Sequence, residues 1–286
     1  MKTTFSEEEI KKFDTEFQFM FASVELHKIS IKILWEIINT KYKNTDGSLK
    51  TLTKDEAVLG GNITRLIKLN TSFLENTCEN KLEICFIISR CLSETVINLM
   101  YMLMESEERV KRNYIKNSLI TEKELWEIIK SNVKDRNEEM LHIEQRMQKS
   151  INRSFDASDF EIDDVSRSSK WKSIKSRADI VAGEQFYNIY YGIQSHSIHG
   201  NWQDILSNNL TKTEAGFELK LDWQKPKTQV VEAVTGLNFK FIKLFIEKEM
   251  IDNEVGDTLL IRTLELEEYC ELIYIYHEQW ISKSVS

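Results

Sequence analysis

One proline and nine glycines stand in a chain of 286 residues. These two residue types interrupt helices and build tight turns, so a chain that nearly lacks them has few routes to a fold other than long helices. Stretches rich in Glu, Lys, Leu and Ile point the same way, and 41% apolar residues suffice for a sizeable core. The sequence predicts an all-α, multi-helix bundle with long helices, forming a single helical domain over residues 1–286.

Start signals and periodicity place the helices. Ser6 with Glu9, Thr53 with Glu56 and Thr121 with Glu124 match the capping box, in which two side chains satisfy the first free N–H groups of a helix. One long amphipathic helix is expected from Ser6 through Ile37, then a turn at NTDGSLKTLT. A second helix runs from Thr53 to about Glu75, and a charged third from Thr121 to about Ser150. Between Lys81 and Met104, LEICFIISRCLSETVINLMYMLM is apolar nearly all the way round. Its length suits a membrane span, but Arg90 and Glu94 near its middle make insertion costly, so it reads as a buried central helix and no membrane is expected as a partner. RSFDASDFEIDDVSRSSK, rich in Ser and Asp, predicts a mobile loop at 153–170. A helix from Ser176 to Asn201 completes the core with the central one. TEAGFELKLDW alternates, so one short β-hairpin near residues 211–224 precedes two last helices over 227–252 and 256–283.

Charge and cysteines narrow the function classes. A net charge of −8 argues against non-specific binding to duplex nucleic acid, which needs clustered Lys and Arg. Cys78, Cys85, Cys91 and Cys270 form no CxxC pair, and the opening MKTTFSEEEIKKF is charged, unlike a secretory signal. Reduced, buried thiols and a cytoplasmic location are expected.

YYGIQSHSIHGNW, Tyr190 to Trp202, is the segment that stands out. No Asp, Glu, Lys or Arg occurs between Gln185 and Trp202, although 29% of the chain is charged. At about 100° per residue, Glu184, Asn188, Tyr191, Ser195 and His199 fall within an arc of about 80°, and Arg177 joins them if the helix starts early enough. A water-facing stripe in this protein should carry Lys and Glu, so this one is read as facing other protein groups or a cleft. In the central helix Arg90 and Glu94 lie four apart on one face, with Asn98 and Tyr101 on the same side. Desolvating such a pair costs several kcal/mol (roughly) unless both groups are paired and hydrogen-bonded. Two readings remain: a structural ion pair, or an anion-binding arginine oriented by Glu94.

SRCLSETVINLMYML, together with Tyr191, Ser195, His199 and Gly200 in the pattern YxxxSxxxHG, resembles a bacterial family of helical proteins, domain of unknown function 5677. The resemblance runs from about Cys78 to Gly200. It implies an all-helical fold and groups Arg90, Glu94, Ser195 and His199 into one site; it supplies no reaction.

Three functions compete. The first is a metal-independent ribonuclease or nucleotide-processing effector of a toxin or phage-defence system, with RNA or a nucleotide as partner and no cofactor. His199 would move a proton near neutral pH, Arg90 would stabilise charge on phosphate, Glu94 would hold the guanidinium, and Ser195 and Tyr191 would orient imidazole or substrate. HEPN nucleases offer an analogy; their signature, Arg and His separated by four to six residues, occurs here as RNEEMLH, Arg136 to His142. On a continuous helix those two side chains would point about 240° apart. The second is a non-enzymatic binding or scaffold protein whose polar stripe holds helices in register. The third is a metal-dependent hydrolase using His196 and His199 with Glu94 and Asp204. No sequence feature supports a homo-oligomer or a protein partner.

Overall fold

The computed structural model describes residues 5–105, 107–166, 170–188 and 200–285. Two of the three capping boxes form. Ser6 starts α1 (Glu7–Ile10), its backbone N–H donating to Glu9 Oε2 at 2.6 Å, and Thr53 starts α3 (Lys54–Cys78), donating to Glu56 Oε2 at 2.8 Å. The first helix is shorter than expected. A further box, Thr15 with Gln18, opens α2 (Glu16–Lys41), so the long helix from Ser6 becomes one turn and then a 26-residue helix. At the third box the helix is already under way: α5 (Glu108–Asp135) passes straight through Thr121. A Thr and a Glu three apart also fit one face of a continuous helix, and the motif alone does not separate the two cases.

Within the span read as one domain, the chain divides into two compact units, residues 1–104 with 174–286, and residues 105–173. In the first, α4 (Leu82–Met104) packs against α3, against α7 (Ile174–Ala182) and against α10 (Thr228–Glu249). α10 also packs on α2 and on α11 (Glu254–Val285). The central helix is therefore joined at the core by α10 as well as by α7, the start of the expected Ser176–Asn201 helix. α10 buries Val231, Leu237, Phe239, Phe241, Ile242 and Phe245 almost completely. Each such side chain contributes roughly 1.5–3 kcal/mol. α4 is the one helix among the described residues long and apolar enough to cross a membrane, with a mean hydropathy of 1.4 and 56% of that window buried.

The Ser176–Asn201 helix is interrupted. α7 ends at Ala182, Gly183 adopts φ +85°, and a single turn, α8 (Glu184–Phe186), restarts the chain. That left-handed φ favours glycine, so the break is written at one residue. Its later part, residues 189–199, lies outside the described residues. The hairpin follows the short α9 (Trp202–Asn208): β1 (Leu210–Thr213) pairs antiparallel with β2 (Gly216–Leu219), Leu210 opposite Leu219.

In the second unit, α5 turns back on α6 (His142–Ser158). The mobile loop expected at 153–170 is corrected in part: Arg153–Ser158 continue α6 and Ile162–Asp164 form a 3-10 turn, while residues 167–169 lie outside the described residues. Phe155, Phe160 and Val165 of this stretch, with Ile151 just before it, bury against Leu119, Ile129 and Val133 of α5. Sparse apolar residues order a segment whose Ser and Asp content suggests a loop. Lys123 Nζ of α5 ties it further by donating to Val165 O at 2.9 Å.

Candidate functional site

The candidate site is centred on one face of α4. Arg90, Glu94 and Asn98 recur every fourth residue and are all half-buried, while Leu92, Val96 and Leu99 on the other faces are fully buried. The start of α4 is held by the hairpin segment: Leu82 N–H donates to Gln224 O at 3.0 Å and Asn209 Nδ2 donates to Glu83 Oε1 at 2.8 Å. One residue from Glu94, Thr95 Oγ1 accepts from Arg65 Nε of α3 at 3.3 Å. α7 packs on this helix, and its buried residues are Arg177, 5% exposed, and Ala178. Arg65 of α3 thus reaches α4, while the half-buried Arg90 and the buried Arg177 stand on α4 and α7, two helices that pack together. Buried guanidinium groups are costly, and they are concentrated where anions are bound or ion-pair networks hold helices together.

Of the residues expected in the site, Arg90 and Glu94 lie one turn apart on one face, as the spacing requires. Tyr191, Ser195, His199 and the second histidine, His196, lie outside the described residues. Arg177 is separated from the expected stripe by the break at Gly183, and it is buried on α7, which packs on α4. Asp204, named for the metal-dependent alternative, accepts from Asn208 Nδ2 at 2.9 Å within α9. Among the described residues no three of His, Cys, Asp and Glu come close enough to hold a metal ion.

RNEEMLH does fall at a helix break: Arg136 caps α5, Asn137 and Glu138 have φ of 56° and 69°, and His142 opens α6. Yet Arg136 is committed to the turn. Its guanidinium pairs with Glu144 and donates from Nε to Glu139 O at 3.2 Å, while Leu141 N–H donates to the same Glu144 carboxylate at 2.9 Å. The Leu141 N–H, with Arg136 behind it, holds the Glu144 carboxyl below the usual range. His142 is exposed.

Two histidines that drew no attention in the sequence, His27 and His277, are fully buried. His277 of α11 places Nε2 2.7 Å from Glu16 of α2 and Nδ1 3.6 Å from the buried Glu232 of α10, with Phe19 and Trp280 on its ring faces. Burial opposes its charge, but the two carboxylates outweigh that and raise its pKa; burial raises that of Glu232. His27 lies 3.0 Å from Thr235 Oγ1 and 3.4 Å from Asn70 O, and burial lowers its pKa to about 4. Next to it, Asn238 Nδ2 donates to Asn70 Oδ1 at 2.8 Å and to Ser30 Oγ at 3.1 Å. Only the return of α10 onto α2 and α3 brings these partners together, so no local sequence signal could have found them.

No curated protein and no solved structure matches the chain. A family model does, over residues 56–217, a span that begins in α3, takes in Arg65, Arg90, Glu94 and Arg177, and ends in β2. That match covers more than half of the chain, and by it the protein belongs to the family described as Family of unknown function (DUF5677).

Proposed function

We propose that the α4 face with α7 binds the phosphate of an RNA or nucleotide, and that the chain is a metal-independent ribonuclease or nucleotide-processing effector of the toxin or phage-defence kind. The observation that carries this reading is the burial of Arg177 on a helix packed against the one bearing Arg90 and Glu94, within the family-matched span. Guanidinium groups offer paired N–H donors that fit phosphate oxygens, and in a water-poor setting they stabilise charge that develops there. With a net charge of −8, affinity for phosphate has to come from such a local cluster rather than from the surface as a whole. Glu94 orients the guanidinium groups, and His199 supplies the proton transfer, with Ser195 and Tyr191 orienting it.

Binding and cleavage separate the roles. Fluorescence anisotropy with a single-stranded RNA, and gel cleavage with EDTA present, are expected to give binding and cutting by the wild type. Arg90→Ala should weaken binding roughly tenfold, the magnitude of one lost charge-assisted hydrogen bond. His199→Ala should bind normally and not cut. Folded variants that bind and cut like the wild type would remove the proposal.

A second reading, a helical binding or scaffold protein, is favoured by one observation. The Ser30, Asn70 and Asn238 network is buried and hydrogen-bonded throughout α2, α3 and α10, so this fold does use inward polar groups to register helices. Loss of folding, rather than of binding, in Arg90→Ala would support it.

A further inference from the structure

The hairpin leaves an apolar row uncovered. Phe217 and Leu219 of β2, and Leu221 and Trp223 just beyond it, are spaced two apart in sequence and are 50%, 75%, 88% and 51% exposed. Trp202 of α9 enlarges the surface, its ring meeting Phe217 edge-on at 5.6 Å. Rows of this kind on soluble proteins mark contact surfaces.

The backbone beside that row is also open. Thr213 pairs with Gly216 across a two-residue loop, and Lys220 N–H donates to Asn209 O at 2.8 Å. In an antiparallel ladder alternate residues face the partner strand, so the even-numbered residues of β2 turn their N–H and C=O groups to β1. Phe217 and Leu219 direct theirs to the outer edge, where no described residue pairs with them. A lone two-stranded hairpin is marginal, and an open apolar edge is a template for another strand.

We propose that the outer edge of β2 pairs antiparallel with β2 of a second copy of this chain, about a two-fold axis at Leu219. A second copy of the chain offers complementary charges in this register. With Leu219 opposite itself, Phe217 faces Leu221 of the other copy, and Glu218 faces Lys220 at both symmetry-related positions. Shifting the axis to residue 220 sets Lys220 against Lys220 and Glu218 against Asp222, and shifting it to 218 sets Glu218 against Glu218. Like charges directly opposite are destabilising, so of these registers only the first is complementary. Lys220 Nζ already donates to Ser207 O at 3.0 Å, and an ammonium has further donors to spend on a carboxylate. Growth stops at four strands because the outer edge of β1 carries Lys212 between two threonines, the polar kind of edge that blocks further pairing.

Sedimentation equilibrium of the full chain tests this. The wild type is expected to be a dimer, and Glu218→Lys and Lys220→Glu should each raise its dissociation constant roughly tenfold, as two cross-strand attractions become repulsions. An equimolar mixture of the two variants should recover wild-type association, because each then meets the opposite charge. A wild type that stays monomeric at every concentration overturns the proposal. So does a dimer indifferent to both substitutions, or a mixture that fails to recover.

Discussion

Lowering the pH should unfold this protein partly through one buried imidazole. His27 sits among α2, α3 and α10 with no exposed surface, edge-on to Phe73 at 5.3 Å, and burial holds its pKa at about 4. In the unfolded chain the same group titrates near 6.5. Between those values the unfolded chain binds a proton that the folded one refuses, so stability is full above about pH 6.5 and falls as the pH falls toward 4. The difference of roughly 2.5 pH units amounts to about 3 kcal/mol by pH 4. That is a large fraction of an ordinary domain's stability of about 5–15 kcal/mol. His277 acts in the opposite direction: its raised pKa adds stability that is complete below about pH 6.5 and is lost as the pH rises through the folded value. Comparing wild type with His27→Gln cancels His277 and the carboxylates. Urea unfolding of both proteins at pH 7 and pH 4 should show the wild type losing about 3 kcal/mol more than the variant over that interval. Equal losses, or a His27 imidazole that titrates near 6.5 by NMR, would refute the assignment of the acid sensitivity to this site.

Two neighbouring glycines of α3 should respond in opposite directions. A Cβ at Gly60 would stand 3.0 Å from Cε1 of the buried Tyr42 ring, so Gly60→Ala should lower stability by about 1 kcal/mol despite alanine's better helix propensity. Gly61 faces open space, and Gly61→Ala should raise stability by about 0.5–1 kcal/mol; thermal melts read both. Asn238→Ala strips the Asn70 side-chain oxygen and Ser30 of a buried donor, and chemical unfolding should show a loss of about 1–3 kcal/mol.

Helix positions were legible in the chain to different degrees. The boxes at Ser6 and Thr53 and the apolar run of α4 were readable because capping and amphipathic periodicity act within four residues. The same locality explains the failures. Thr121 and Glu124 look like a helix start, but the residues before them already propagate a helix. Arg153–Ser158 look like a loop, but Phe155 finds Leu119 and Ile129 to bury against. At the candidate site, spacing placed Arg90 with Glu94, and the family resemblance was confirmed. That Arg177 is buried on a helix packed against α4 was not legible, since that packing is set by distant residues.

The sequence by itself determined that the chain is helical, where most helices begin and that α4 is apolar, because each follows from residues within a turn or two of one another. Tertiary structure alone decided that His277 meets Glu16 across 261 positions, that His27 meets Thr235 across 208, and that Arg177 is buried on a helix packed against α4. Those meetings depend on which helix faces close on each other, and a buried charge or imidazole acquires its chemistry from the neighbours that such packing supplies.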